Sequence, residues 1–120
     1  MSISSEIWNL CATEGNLETI KFLHNNNAGG CTPEVVDLAA KNNHLDIIKY
    51  LRENRSEGCT PYALNNAIQG GYTNIASYLL ENFEVCFNLS EAVELAAEEG
   101  NLDIIDLLVV HTMKHLNLFN

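Results

Sequence analysis

Asn43-His44-Leu45-Asp46-Ile47-Ile48-Lys49-Tyr50-Leu51 has three near-copies in the same chain. They are Gly15-Asn16-Leu17-Glu18-Thr19-Ile20-Lys21-Phe22-Leu23, Gly71-Tyr72-Thr73-Asn74-Ile75-Ala76-Ser77-Tyr78-Leu79 and Gly100-Asn101-Leu102-Asp103-Ile104-Ile105-Asp106-Leu107-Leu108, spaced by 28, 28 and 29 residues. Self-similarity at a fixed period of about 20 to 50 residues marks a stacked array, in which each unit needs its neighbours to bury its apolar face.

Aligning the segments that precede the four copies gives further columns: Ile7/Val35/Ala63/Ala92, Trp8/Val36/Leu64/Val93, Leu10/Leu38/Asn66/Leu95 and Cys11/Ala39/Ala67/Ala96. Apolar positions three and four apart make one face of a short helix, so each unit opens with a first helix, expected near residues 4–14, 32–42, 60–70 and 89–99. Thr32-Pro33 and Thr60-Pro61 fit two of these starts, since threonine caps free N–H groups and proline is tolerated at the first helical position.

The column Gly15/Asn43/Gly71/Gly100 supplies the residue types that adopt the left-handed conformation after a helix, and reads as a turn. A second helix follows, with Glu18, Asp46, Asn74 and Asp103 in its first turn. Its apolar columns are Leu17/Leu45/Thr73/Leu102, Ile20/Ile48/Ala76/Ile105 and Leu23/Leu51/Leu79/Leu108, flanked by Phe22/Tyr50/Tyr78/Leu107. These helices are expected to end near Asn26, Asn54 and Asn82.

Ala39-Ala40-Lys41-Asn42-Asn43-His44-Leu45-Asp46-Ile47-Ile48-Lys49-Tyr50-Leu51 resembles the central part of an ankyrin repeat, and Ala96-Ala97-Glu98-Glu99-Gly100-Asn101-Leu102-Asp103-Ile104-Ile105 is similar to it as well. The resemblance covers nearly the whole chain. It implies an all-α, ankyrin-like α-solenoid of four helix-turn-helix repeats, approximately 3–30, 31–58, 59–87 and 88–115 with a tail at 116–120, forming one domain over 1–120. The family's unit has about 33 residues and a Thr-Pro-Leu-His start. Here the unit is shorter and the Thr-Pro pairs lie earlier, which implies longer first helices and β-hairpin fingers that are shortened or absent. The tetratricopeptide unit, of about 34 residues, needs a Trp, Gly and Tyr spacing that these units lack.

Sixteen acidic against six basic residues give a formal net charge of -10. Residues 61–120 hold eight of the acids and only Lys114 as a base. Such a chain repels phosphate backbones and anionic lipid, so the expected partner is another protein with a basic surface, not nucleic acid or membrane. No apolar run approaches the roughly 20 residues of a membrane span, and Met1-Ser2-Ile3-Ser4-Ser5-Glu6 does not read as a secretory leader, so a cytosol-like, cytoplasmic setting is expected. The triplets Asn54-Arg55-Ser56 and Asn88-Leu89-Ser90 match the glycosylation pattern, but such matches arise easily by chance in an asparagine-rich chain.

Catalytic chemistry finds little support. His111 and His115 have the i, i+4 spacing of a metal pair, yet no glutamate lies between them and a third ligand cannot be assigned. His44 is read as a turn residue. Cys11, Cys31, Cys59 and Cys86 form no Cys-x-x-Cys pair, and equivalent cysteines in adjacent units should sit about 8 to 10 Å apart, beyond disulfide reach, so free structural thiols are expected. No cofactor or metal is expected, and the chain reads as a non-enzyme.

The columns pointing away from the ladder are Glu6/Glu34/Tyr62/Glu91, Asn9/Asp37/Asn65/Glu94 and Thr13/Lys41/Gln69/Glu98. In the family this chain resembles, the first helices line the concave face where partners lie. That implies a partner strip of Glu6, Asn9, Glu34, Asp37, Lys41, Tyr62, Asn65, Gln69, Glu91, Glu94 and Glu98. Asn66 breaks a leucine column, and either reaches a backbone partner or marks that column as half-buried. At the N-terminal end Trp8, Ser4, Ser5 and Glu14 are expected to close the array with a polar outer face. The other end runs apolar, through Leu116, Leu118 and Phe119. A monomer is expected, with this tail folded back as a cap; weak self-association through the C-terminal end is the alternative.

Overall fold

Helices of eight to ten residues are marginal alone, and this chain is built almost wholly from them. A computed structural model describes residues 4–83 and 87–116. The order is α1 (Ser5–Glu14), α2 (Leu17–Asn25), α3 (Glu34–Lys41), α4 (Leu45–Asn54), α5 (Tyr62–Gly70), α6 (Thr73–Asn82), α7 (Leu89–Glu98) and α8 (Leu102–His115). No strand occurs among the described residues. The first helices hold 8 to 10 residues, α1 one more than α2 and the others fewer than their partners, and the described residues of the links between units carry no β-hairpin.

Each unit is a helical hairpin, and the units stack in register. First helices pack in one row, α1 on α3 on α5 on α7, and second helices in the other, α2 on α4 on α6 on α8. The result measures 50 × 28 × 18 Å. Between the rows runs a continuous core: Leu23, Leu51, Leu79 and Leu108 are all buried, as are Cys11, Ala39, Ala67 and Ala96. The small side chains of that second column let the first helices approach closely.

Asparagine explains how such short helices end. Asn26, Asn54 and Asn82 each turn Nδ2 back to the carbonyl four residues earlier, on Phe22, Tyr50 and Tyr78, at 2.8, 2.9 and 3.0 Å. Asn16, Asn88 and Asn101 do the reverse, each accepting a backbone N–H at the start of α2, α7 and α8. The turn column behaves as its residue types demand, with φ of 78° at Gly15, 65° at Asn43, 73° at Gly71 and 67° at Gly100.

Thr60 caps as expected: Pro61 is already helical and the Thr60 hydroxyl accepts the Tyr62 N–H at 3.1 Å. Thr32 does not cap in this way, and among the described residues its buried hydroxyl oxygen has no hydrogen-bond partner.

The N-terminal end departs from its expected polar face. Trp8 is fully buried, donating its indole N–H to the Gly29 carbonyl at 2.9 Å beneath the Arg55 guanidinium, which lies 5.0 Å from the ring centroid. Ile7, Leu10 and Phe22 are exposed there instead. Trp8 sits in the Val36/Leu64 column and is drawn into the core by its apolar bulk. The same turn of helix then leaves Ile7 and Leu10 uncovered by the other described residues.

Candidate functional site

The outward side of the first-helix row is where the sequence places its partner strip. Glu6 of α1, Glu34 and Lys41 of α3, Tyr62 and Gln69 of α5, and Glu91, Glu94 and Glu98 of α7 are all exposed. Tyr62 is 70% exposed, so its ring stands clear of the surface. Asn65 is half-buried and donates Nδ2 to Glu91 Oε1 at 3.4 Å, joining α5 to α7 along this side. Asn9 is half-buried too, and its Oδ1 is out of reach of solvent with no hydrogen-bond partner among the described residues.

Asp37 is a correction: it is not on the strip. Only 6% exposed, it accepts the Thr60 N–H at 2.9 Å on Oδ1 and the Thr60 hydroxyl at 2.5 Å on Oδ2. Its own backbone carbonyl accepts Asn66 Nδ2 at 3.0 Å. Burial raises the Asp37 pKa above its ordinary value, the Thr60 bonds pull the other way, and nearby Glu34 adds to the rise. Asp37 is therefore a latch between the second and third units. The same contact answers the question of Asn66, which reaches a backbone partner in a column that is also only half-buried. Nothing in its column of Asn9, Asn65 and Glu94 marked Asp37 out. The one hint was Thr60, the hydroxyl at the mouth of the next unit.

At the links between units lies a cleft of about 450 Å³ bordered by Val36, Leu51, Arg52, Arg55, Phe83 and the two thiols Cys31 and Cys59. Arg55 grips Glu57 with two parallel bonds, Nε to Oε1 at 2.9 Å and Nη2 to Oε2 at 2.6 Å, and Nη1 lies 3.0 Å from His24 Nδ1. That grip lowers the Glu57 pKa and raises that of Arg55. Burial pushes the Cys31 thiol up to about 11, helped by Glu57, and the Cys59 thiol up to about 12, helped by Asp37. Such thiols are protonated at neutral pH and make poor nucleophiles. Cys11, Cys31 and Cys59 are free thiols, and Cys86 lies outside the described residues.

His111 and His115 stack with ring centroids 6.3 Å apart on α8. Burial lowers the His111 pKa, with His115 and Lys114 adding to it and Glu81 opposing. Among the described residues, no group of three or more His, Cys, Asp or Glu side chains gathers as a metal site. No helix of the described residues is long and apolar enough to cross a membrane. Leu116 is exposed at the end of α8, while Leu118 and Phe119, on which the expected cap depends, lie outside the described residues.

Among known families, the model for ankyrin repeats (3 copies) matches residues 36–120. No curated protein and no solved structure matches the chain. The family match starts inside α3, yet α1 and α2 stack on the array as the later hairpins do, so the architecture extends one unit further than the match. Ankyrin repeats are generally protein–protein interaction modules and are typically non-catalytic. The stacked helical hairpins, the left-handed turn column and the match over most of its length together show that this chain belongs to the ankyrin repeat family.

Proposed function

We propose that this chain is a non-catalytic binding module that presents an acidic strip on its first helices to a protein partner with a basic surface. The observation that carries this reading is the exposure of Glu6, Glu34, Glu91, Glu94 and Glu98 on one helix row, with Lys41 as the base among the strip positions. Tyr62, in the middle of that row, supplies the aromatic group that interfaces commonly use as an anchor. Because the ladder of buried columns holds these helices in place, a partner meets side chains on a preordered backbone and less entropy is lost on docking. Charge complementarity speeds encounter and makes the association weaken as salt rises. Three free thiols among the described residues suit a reducing, cytosol-like compartment.

The test is affinity capture with the wild-type chain and with Glu34→Lys plus Glu94→Lys, both positions exposed and outside the core. A basic protein retained by the first, lost by the second and eluted by salt supports the strip. Equal capture by both, with unchanged helical circular dichroism, removes it.

A further inference from the structure

In a chain of net charge -10, the cleft at the links is bordered by two of the six basic residues, Arg52 and Arg55, with Glu57 as the one acid among its described lining residues. Val36, Leu51 and Phe83, all core side chains, border it as well. The Cys31 and Cys59 thiols keep their protons at neutral pH and add no charge. Its volume of about 450 Å³ lies within the range of ordinary ligand sites.

The two arginines are held in different ways. Arg55 is fully engaged: its Nε and Nη2 grip the Glu57 carboxylate and its Nη1 meets His24. Arg52 is anchored by Nε alone, to the Asn82 carbonyl, and its two Nη nitrogens have no hydrogen-bond or ion-pair partner among the described residues. A guanidinium tied at Nε keeps its orientation while its Nη edge stays open, and that edge matches a carboxylate with two parallel bonds.

We propose that this cleft binds a short peptide segment of a partner protein in which an acidic residue stands beside a leucine-like one, the carboxylate on the Arg52 Nη edge and the apolar side chain against Leu51 and Phe83. The Arg55–Glu57 pair shows the kind of bond Arg52 makes, and because Arg55 already holds Glu57, the described lining offers Arg52 no carboxylate of its own. Charge selects an acid, and the apolar border selects what stands next to it. None of the acidic-strip residues borders the cleft, and the two sites take opposite charges, so each stands without the other.

Titration of the isotope-labelled full chain with acetyl-Leu-Glu-Leu-amide, followed through backbone amide shifts, tests the proposal against acetyl-Leu-Gln-Leu-amide. The acidic peptide is expected to shift the amides of Leu51, Ser56, Cys59 and Phe83, to bind about tenfold more tightly than its glutamine counterpart, and to weaken as salt rises. Arg52→Gln is expected to remove that preference, and Arg52→Lys to keep only part of it, since an ammonium cannot form the paired bonds. Ser56→Glu, an exposed change that adds a carboxylate to the cleft border, is expected to weaken the acidic peptide to the level of the glutamine one. Glu34→Lys plus Glu94→Lys is expected to leave peptide binding in place, which separates this site from the strip. Equal affinity for the two peptides overturns the proposal, as does equal affinity of wild type and Arg52→Gln with unchanged helical circular dichroism. Shifts confined to the first-helix strip also overturn it, as do cleft shifts that grow with protein concentration in the absence of peptide, which would mean a second copy of the chain sits there.

Discussion

The His44 imidazole lies over Gly15 of the preceding unit so closely that a methyl group at Gly15 would come within 2.5 Å of His44 Cε1. From there Nε2 donates to the Thr13 carbonyl at 3.2 Å, which ties the second turn to the end of α1. Gly15 thus has two reasons to lack a side chain, its φ of 78° and its neighbour. Gly100, at a φ of 67°, has only the first, because nothing lies within 4 Å of the position a Cβ would take.

Gly100→Ala is therefore expected to cost about 1 to 2 kcal/mol from backbone conformation alone. Gly15→Ala is expected to cost more, because it also displaces the His44 ring. In a His44→Ala background the cost of Gly15→Ala should fall to that of Gly100→Ala. A double-mutant cycle by urea denaturation measures the coupling.

The latch between Asp37 and Thr60 makes a different prediction. Asp37→Ala leaves the Thr60 N–H without its acceptor in a poorly solvated spot and should cost about 1 to 3 kcal/mol. Asp37→Asn keeps an acceptor for that N–H and should stay within about 1 kcal/mol of wild type. The pH dependence follows from the raised Asp37 pKa. The charged form is penalised in the folded chain, and the penalty fades as pH falls through the folded value, to vanish below the ordinary 3.8. Wild type should therefore gain stability relative to Asp37→Asn on acidification from neutral pH, read from paired melting curves.

Core position, not hydrophobicity alone, should set the cost of leucine truncation. Leu51 and Leu79 are buried in the central ladder, and replacing either by alanine is expected to cost about 2 to 5 kcal/mol. Leu10, exposed in the first unit, should cost within about 0.5 kcal/mol on the same change. Denaturant titration of the three variants, with unchanged slope, checks this.

Alkaline pH should loosen the links. Cys31 and Cys59 hold their protons more tightly folded than unfolded, with values of about 11 and about 12 against an ordinary 9.0. Their contribution is complete below pH 9.0 and is lost as pH rises through those folded values, since the unfolded chain ionises first. Cys59→Ala is expected to flatten the fall in melting temperature above pH 9.0, measured with reductant present.

What the sequence determined by itself was the periodic part. Four near-copies at a constant spacing require neighbouring units to share a core, because no ten-residue helix can bury a leucine stripe alone. The left-handed turn column and the asparagine helix ends follow from residue type, and the structure holds them where the alignment puts them. The same logic located the exposed glutamates of α1, α3 and α7, since a helix buries one face and offers the other.

Tertiary structure alone decided which polar residue turns inward and which apolar residue is left uncovered. Asp37, Asn9 and Glu94 are equivalent in sequence, and Asn9 and Asp37 each have a threonine 23 residues on, yet only Asp37 bonds it: the Thr60 hydroxyl and N–H supply the two donors that make a buried carboxylate tolerable, whereas Asn9 Oδ1 and Thr32 Oγ1 have no hydrogen-bond partner among the described residues. Leu10 and Leu102 likewise look like core in the alignment. Burial in a stacked array belongs to a pair of units rather than to a residue, so a column loses its cover wherever the array has no neighbour to supply it.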